Sequence, residues 1–212
     1  MLNIRTYPLG YIQTNCYVIS NDKKECLVID PGGHAEEFIR ELKKSNLKPL
    51  AILLTHAHFD HIGAIDQLRE EYSIPVYLHK MEEKWLADPQ KNGSGKYAEI
   101  PSISCREAEH LILAEQEMSI ADFRFKMLFT PGHSPGSITY YFQEEGFAVV
   151  GDTLFQGSIG RTDLLGGNQK QLVDSIHSKL LTMPEDTVVY PGHGPATTIE
   201  EEMNHNPFLN GF

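Results

Sequence analysis

Short apolar runs separated by turn residues dominate the start of the chain. Residues 2–7, 16–20 and 26–30 each have strand length and β-type composition, with Asn21 and Asp22 marking one turn and Pro31, Gly32 and Gly33 closing the third run. The period then changes: over 35–44, Phe38, Ile39 and Leu42 share one face and Glu and Lys the other, which predicts an amphipathic helix. Residues 50–55 are apolar without alternation, the pattern of a central strand covered on both faces. Helical patterns at 62–71 and 80–86 flank a short strand at 76–78. The stretch 88–106 holds Pro89, Gly93, Gly95 and Pro101 among small polar residues with no period, and is expected as a long loop, of a length at which loops often serve as lids; whether it closes over the site is not fixed by sequence. Strands are predicted again at 110–113, 122–130, 138–142 and 147–151, with Glu144, Glu145 and Gly146 as a hairpin turn, then a helix at 169–181 and a last strand at 187–190.

Strands come in groups, and helices alternate with only some of them, in two broadly similar halves. That predicts an α/β fold of two mixed β-sheets flanked by helices, with residues 1–212 forming one internally duplicated domain.

Composition narrows the function. With 41% apolar and 22% charged residues the chain reads as a soluble globule and not as a disordered one. Eighteen Lys and Arg against 29 Asp and Glu give a net charge of −11, which repels phosphate backbones and excludes nucleic acid as the expected partner. No run approaches the roughly 18 apolar residues of a membrane span. The first dozen residues show no apolar signal-peptide core, so a cytoplasmic protein is expected, as a monomer or small homo-oligomer. Cys16, Cys26 and Cys105 form no C-x-x-C pair and are expected as buried, inert thiols.

The chemistry concentrates after the apolar run. Thr55-His56-Ala57-His58-Phe59-Asp60-His61 places three imidazoles and a carboxylate within six positions. In extended backbone residues two apart point the same way, so His56 and His58 can grip one cation, while Asp60 and His61, where the chain turns into a helix, reach a second. Three further strand ends offer matching donors: His133 after Thr130-Pro131-Gly132, Asp152 after Gly151, and His193 after Pro191-Gly192. Five His and two Asp make the seven protein ligands that two cations need if Asp152 bridges them. Imidazole with carboxylate and no thiolate suits an open catalytic site for two divalent cations, zinc ahead of iron or manganese. His34, His79, His110, His177 and His205 have no donor nearby and receive no role.

These residues resemble the metallo-β-lactamase superfamily, whose T-H-x-H-x-D-H signature stands at 55–61, with His133, Asp152 and His193 in the family's order. The resemblance implies the αββα four-layer sandwich, with His56, His58 and His133 on one metal, Asp60, His61 and His193 on the other, and Asp152 shared. The run from Gly151 through Arg161 to Asp163 is similar to the glyoxalase II group, whose substrates are glutathione thioesters. Asp163 stands where that group typically has Tyr. The 19 residues after His193 are too few for its C-terminal glutathione-binding helical domain, so the compact bacterial subgroup, with its Asn-Pro-Phe-Leu ending at 206–209, is the better match. The expected activity is hydrolysis of a small-molecule thioester such as S-lactoylglutathione by hydroxide held between the metals, with Asp60 orienting it. Arg161 is the candidate grip for a substrate carboxylate, against the plainer reading of a surface ion pair with Asp163. A persulfide dioxygenase using one iron, a lactonase or a phosphodiesterase are the alternatives within the fold, and a non-catalytic metal-binding module the alternative outside enzymology.

Overall fold

The structure, a computed structural model, describes residues 2–209. The chain divides into two compact units, Met1–Leu113 and Ala114–Phe212, each built on a mixed six-stranded sheet.

In the first unit β1 (Asn3–Leu9), β2 (Thr14–Ser20) and β3 (Glu25–Ile29) form an antiparallel meander. Helix α1 (Ala35–Lys44) then crosses to β4 (Lys48–Leu53), which pairs parallel to β3. Two short helices, α2 (Phe59–Ile62) and α3 (Ile65–Tyr72), lead to β5 (Val76–His79), parallel to β4. A 3₁₀ turn (Lys80–Trp85), helix α4 (Pro89–Asn92) and a second 3₁₀ turn (Ser94–Lys96) precede the edge strand β6 (His110–Ile112). Every residue of β2 is buried, the polar Thr14, Asn15 and Ser20 included, whereas β1 at the edge of the sheet is mostly exposed. Phe38 and Leu42 of α1 and Ile65 and Leu68 of α3 pack on one face of this sheet, against Cys16, Val18, Cys26, Val28 and Ile52. All three cysteines are buried, and burial pushes the Cys26 and Cys105 thiols up to about 12, so they are inert as expected.

The second unit opens with β7 (Gln116–Ile120), β8 (Phe123–Phe129) and β9 (Ile138–Phe142), antiparallel to one another, followed by β10 (Phe147–Gly151). A small hairpin, β11 (Leu154–Phe155) with β12 (Ser158–Ile159), precedes α5 (Gln169–Ser175), whose last turn widens to a π-helix over Ile176–Leu180. Strand β13 (Val188–Pro191) then pairs parallel to β10, and β14 (Thr197–Thr198) runs into α6 (Ile199–His205). Leu172, Ile176, Leu180 and Ile199 pack on Tyr141, Ala148, Val150 and Val189 of the sheet.

The elements absent from the sequence reading share a cause. Strand β7 is an edge strand with only Met118 and Ile120 half-buried, β11, β12 and β14 are two residues long, and α6 buries only Ile199 and Glu202, so none shows a period. The helix predicted at 62–71 is observed as α3, which starts three residues later at Ile65, while Ile62 closes the separate single turn of α2. The long loop expected at 88–106 is irregular from 97 onward, but its first part forms α4 and the second 3₁₀ turn and is braced from within. Asn92, fully buried, donates to the carbonyls of Trp85 (3.2 Å) and Ile103 (2.9 Å) and accepts from the amide and hydroxyl of Ser94 (3.0 and 2.8 Å). Among the described residues no helix is long and apolar enough to cross a membrane.

Candidate functional site

The first unit carries its donors on one continuous segment. Strand β4 ends at Leu53, and His56 and His58 follow in extended backbone before α2 begins, with His58 at the N-cap position. Their rings lie 4.7 Å apart, and those of His56 and His61 4.0 Å. Asp60 and His61 occupy the single turn of α2, with His61 Nε2 3.3 Å from Asp60 Oδ2. Asp60 therefore does not cap the helix. Its Oδ2 accepts from the Thr14 hydroxyl at 2.7 Å. All four donors are at most 6% exposed.

Asp30, which the sequence reading passed over as a strand end, orients this segment. It sits at φ 53°, a left-handed conformation that Asp tolerates better than most residues, and this bends the chain away from β3 and buries the carboxylate. Its Oδ1 accepts from the Thr55 amide at 2.8 Å, and its Oδ2 accepts from the Thr55 hydroxyl at 2.6 Å and from His61 Nδ1 at 2.9 Å. Because the Thr55 hydroxyl gives its proton to Asp30, it presents a lone pair to His56 Nδ1, 3.0 Å away. Both imidazoles thus carry their proton on Nδ1 and offer Nε2 as the coordinating nitrogen, the arrangement that second-shell acceptors impose on metal-binding histidines. Gly32 lets the two loops meet: a Cβ there would stand 1.8 Å from the Asp60 carbonyl oxygen.

The second unit delivers donors from three strand ends. His133 follows β8, Asp152 follows β10 and His193 follows β13. Asp152 Oδ2 lies 3.5 Å from His133 Nε2 and 3.6 Å from His193 Nε2. The loops are tied through the main chain: the Gly192 amide donates to the Gly151 carbonyl at 2.8 Å, and the Asn168 amide at the start of α5 donates to the Gly132 carbonyl at 2.7 Å. His133 Nδ1 donates to the Arg161 carbonyl at 2.8 Å, which again leaves Nε2 to coordinate. Gly160 permits this approach, since a Cβ there would lie 1.9 Å from the Asp152 carbonyl oxygen and 3.2 Å from His133 Cβ. His193 is the most exposed donor, at 30%, with its ring 6.3 Å from Phe155.

Arg161 therefore touches the site through its backbone. Its side chain points to solvent, where Nε and one terminal nitrogen donate to the two oxygens of Asp163, each at 2.7 Å. The Arg161 hydrogen bond holds the Asp163 carboxyl down to about 2. The five remaining histidines have ordinary settings where the structure describes their partners: His79 Nδ1 accepts from Met81, His110 stacks on Tyr77 and His205 faces Glu201. Trp85 is buried, with its ring 5.7 Å from that of His58. Neither Asp30, Thr14 nor Trp85 had a local sequence signal, because each reaches the donors across the fold and not along the chain.

The donor sets fit first-row divalent cations: imidazole Nε2 atoms aimed by buried acceptors, with carboxylate oxygens beside them and every thiol buried in the core. Comparison with known proteins agrees. The metallo-beta-lactamase superfamily model matches residues 9–193. A probable metallo-hydrolase of Bacillus subtilis, YqgX, is 53% identical over 98% of both chains, and the hydroxyacylglutathione hydrolase GloC of Haemophilus influenzae is 37% identical over 99% of both. Among solved structures, the BLEG-1 B3 metallo-beta-lactamase is 55% identical with a TM-score of 0.95 over all of both chains. TTHA1623, solved in a di-iron-bound form, is 38% identical with a TM-score of 0.82, over 97% of this chain and 100% of its own. The two mixed sheets with flanking helices are thus the αββα class expected from the sequence, and the chain belongs to the metallo-β-lactamase superfamily as a metallo-hydrolase.

Proposed function

We propose that His56, His58, Asp60, His61, His133, Asp152 and His193 serve one centre for two divalent cations, with Asp152 shared, and that the protein hydrolyses a thioester of the glutathione type. The observation that carries the metal reading is the fixed tautomer of His56, His61 and His133, each with Nδ1 engaged and Nε2 presented. Kinship to GloC over nearly the whole of both chains supports the thioester. Zinc suits this donor set, and the di-iron form of TTHA1623 supports iron as the alternative occupant.

When bound, such cations supply a Lewis acid and lower the pKa of a water at the centre from 15.7 towards about 7. The chain's own groups do the rest. Asp60, held through Oδ2 by Thr14, accepts a hydrogen bond from the attacking water and orients it, takes its proton as the new C–O bond forms, and passes that proton to the leaving thiolate as the C–S bond breaks. Asp30 keeps His56 and His61 in the coordinating tautomer throughout. Arg161 grips a substrate carboxylate only by sharing or leaving Asp163, so its contribution is to binding.

A second reading, hydrolysis of a β-lactam, is favoured by the 55% identity to BLEG-1. Metal analysis of the purified protein with a substrate panel tests both. Thiol release from S-lactoylglutathione at about two metals per chain is the expected result. Turnover confined to a β-lactam moves the assignment to the second reading, and dioxygen uptake with glutathione persulfide moves it to a one-iron dioxygenase. A protein that retains no metal overturns the proposal.

A further inference from the structure

Glu82 is the most thoroughly buried acidic side chain outside the donor set, at 0% exposure, and nothing in the thioester mechanism uses it. It sits on the 3₁₀ turn Lys80–Trp85 that follows β5. The neighbouring charged residues of that turn behave as surface residues: Lys80 pairs with Glu83 at 2.7 Å and Lys84 with Glu107 at 3.0 Å. Glu82 points the other way. Its Oε2 accepts from the amide of Ala57 at 2.6 Å, the one residue between His56 and His58. Three residues on, Trp85 places its ring 5.7 Å from that of His58, so the same turn touches the donor segment at a second point.

Burying a carboxylate costs free energy that an apolar residue of similar volume would not incur. A short hydrogen bond from a peptide N–H to a charged acceptor is the strong kind, and it fixes the plane of that peptide. The peptide at Ala57 N joins His56 to Ala57, and its tilt sets the direction in which both flanking imidazoles leave the backbone. We infer that Glu82 is a positioning residue for the metal centre: its carboxylate clamps the Ala57 amide and thereby aims His56 and His58 at a common cation. This rests on the metal reading above and extends it to a residue that touches neither metal nor substrate. Asp30 orients His56 and His61 from the side-chain end, and Glu82 acts on the backbone from which His56 and His58 project.

The test uses the full chain and Zn²⁺ as the probe. Wild type, Glu82→Ala, Glu82→Gln and, as a control on the same turn whose carboxylate pairs with Lys80 instead of the donor segment, Glu83→Ala are stripped of metal. Zn²⁺ affinity is then measured by chelator competition on the fraction that circular dichroism shows to be folded. Hydrogen exchange of the segment 56–61 is followed in the metal-free proteins. Glu82→Ala is expected to weaken Zn²⁺ binding by about 10–100-fold, the range for lost second-shell partners, and to speed exchange at Ala57. Glu82→Gln keeps an accepting oxygen and is expected to recover affinity to within about fivefold of wild type, while Glu83→Ala matches wild type. A folded Glu82→Ala protein that binds Zn²⁺ as tightly as wild type overturns the inference, whatever its melting temperature. A Gln variant no better than Ala overturns it too. If wild type itself fails to bind Zn²⁺, the metal reading falls first and this inference with it.

Discussion

The two units prepare their donors by different means. The first takes four donors from six consecutive residues, buries them to 6% exposure or less, and aims them with buried side chains, Asp30 and Thr14 above all. The second collects three donors from three strand ends, leaves His193 at 30% exposure, orients His133 through the Arg161 carbonyl, and ties the loops of Asp152 and His193 together by the Gly192 amide on the Gly151 carbonyl. A site aimed by side chains can be undone by one substitution at a residue that touches no metal. A site aimed by main chain is disturbed only by changes that move a loop.

The largest effect expected removes a donor from either unit. His58→Ala and Asp152→Ala should each lower kcat/KM on the order of 10³-fold or more and reduce bound metal in parallel, read by kinetics and elemental analysis. Full activity in either variant would break the comparison at its root, because one unit would then suffice. Next comes the contrast itself. Asp30→Ala strands the Thr55 amide and leaves His56 and His61 without an oriented tautomer, so metal affinity should fall by about 10–100-fold, and stability by about 1–3 kcal/mol for each donor left unsatisfied. Arg161→Ala keeps the carbonyl that serves His133, and chelator competition should find its affinity within about twofold of wild type. Equal losses in the two variants would remove the distinction between side-chain and main-chain aiming.

Smaller and symmetrical effects are expected from the close approaches. Gly32→Ala and Gly160→Ala each drive a methyl into the carbonyl of an acidic donor, Asp60 or Asp152, and should destabilise by about 1–3 kcal/mol in chemical denaturation. The smallest effect is on Arg161 as a substrate grip, where Arg161→Ala should raise KM by no more than about tenfold for a substrate bearing a carboxylate. The pH course of that effect follows from Asp163. Its carboxyl is held down to about 2, so the pair persists at every pH above the ordinary carboxylate range and is lost only as pH falls through about 2. The ratio of mutant to wild-type KM should therefore stay flat between about pH 5 and 8, and a step there would mean that another group titrates against the substrate.

Much of this was legible in the chain. The unbroken apolarity of 50–55 marked a central strand and the four donors after it a metal segment, because both depend on neighbours in sequence. Helix α1 was found with the same bounds, since Phe38 and Leu42 bury one face while Glu and Lys decorate the ends. Elements without a local period were missed: α6 is held by Ile199 and by Glu202, whose carboxylate accepts from Thr197, Asn206 and the Gly157 amide, and no apolar stripe announces it. The orienting residues were missed for a related reason. Asp30 lies 25 residues before Thr55 and 31 before His61, and Thr14 lies 46 before Asp60, so their roles exist only once β2, β3 and β4 are paired. Arg161 was singled out for its guanidinium, whereas the atom it gives to the site is one that every residue type possesses.

The hydrogen bonds around Asn92 couple the stretch after Trp85 to the segment that bears the imidazoles. Moving the stretch after Trp85 would break the buried Asn92 bonds to Trp85 and Ser94 together with the part-buried bonds that Ile103 makes to Asn92 and to the Ser94 hydroxyl. Trp85 lies against His58 and Tyr97 against Phe59, so this stretch packs on the donor segment of its own unit at two points. A displacement of this stretch would therefore carry the imidazole-bearing segment with it instead of passing freely over it.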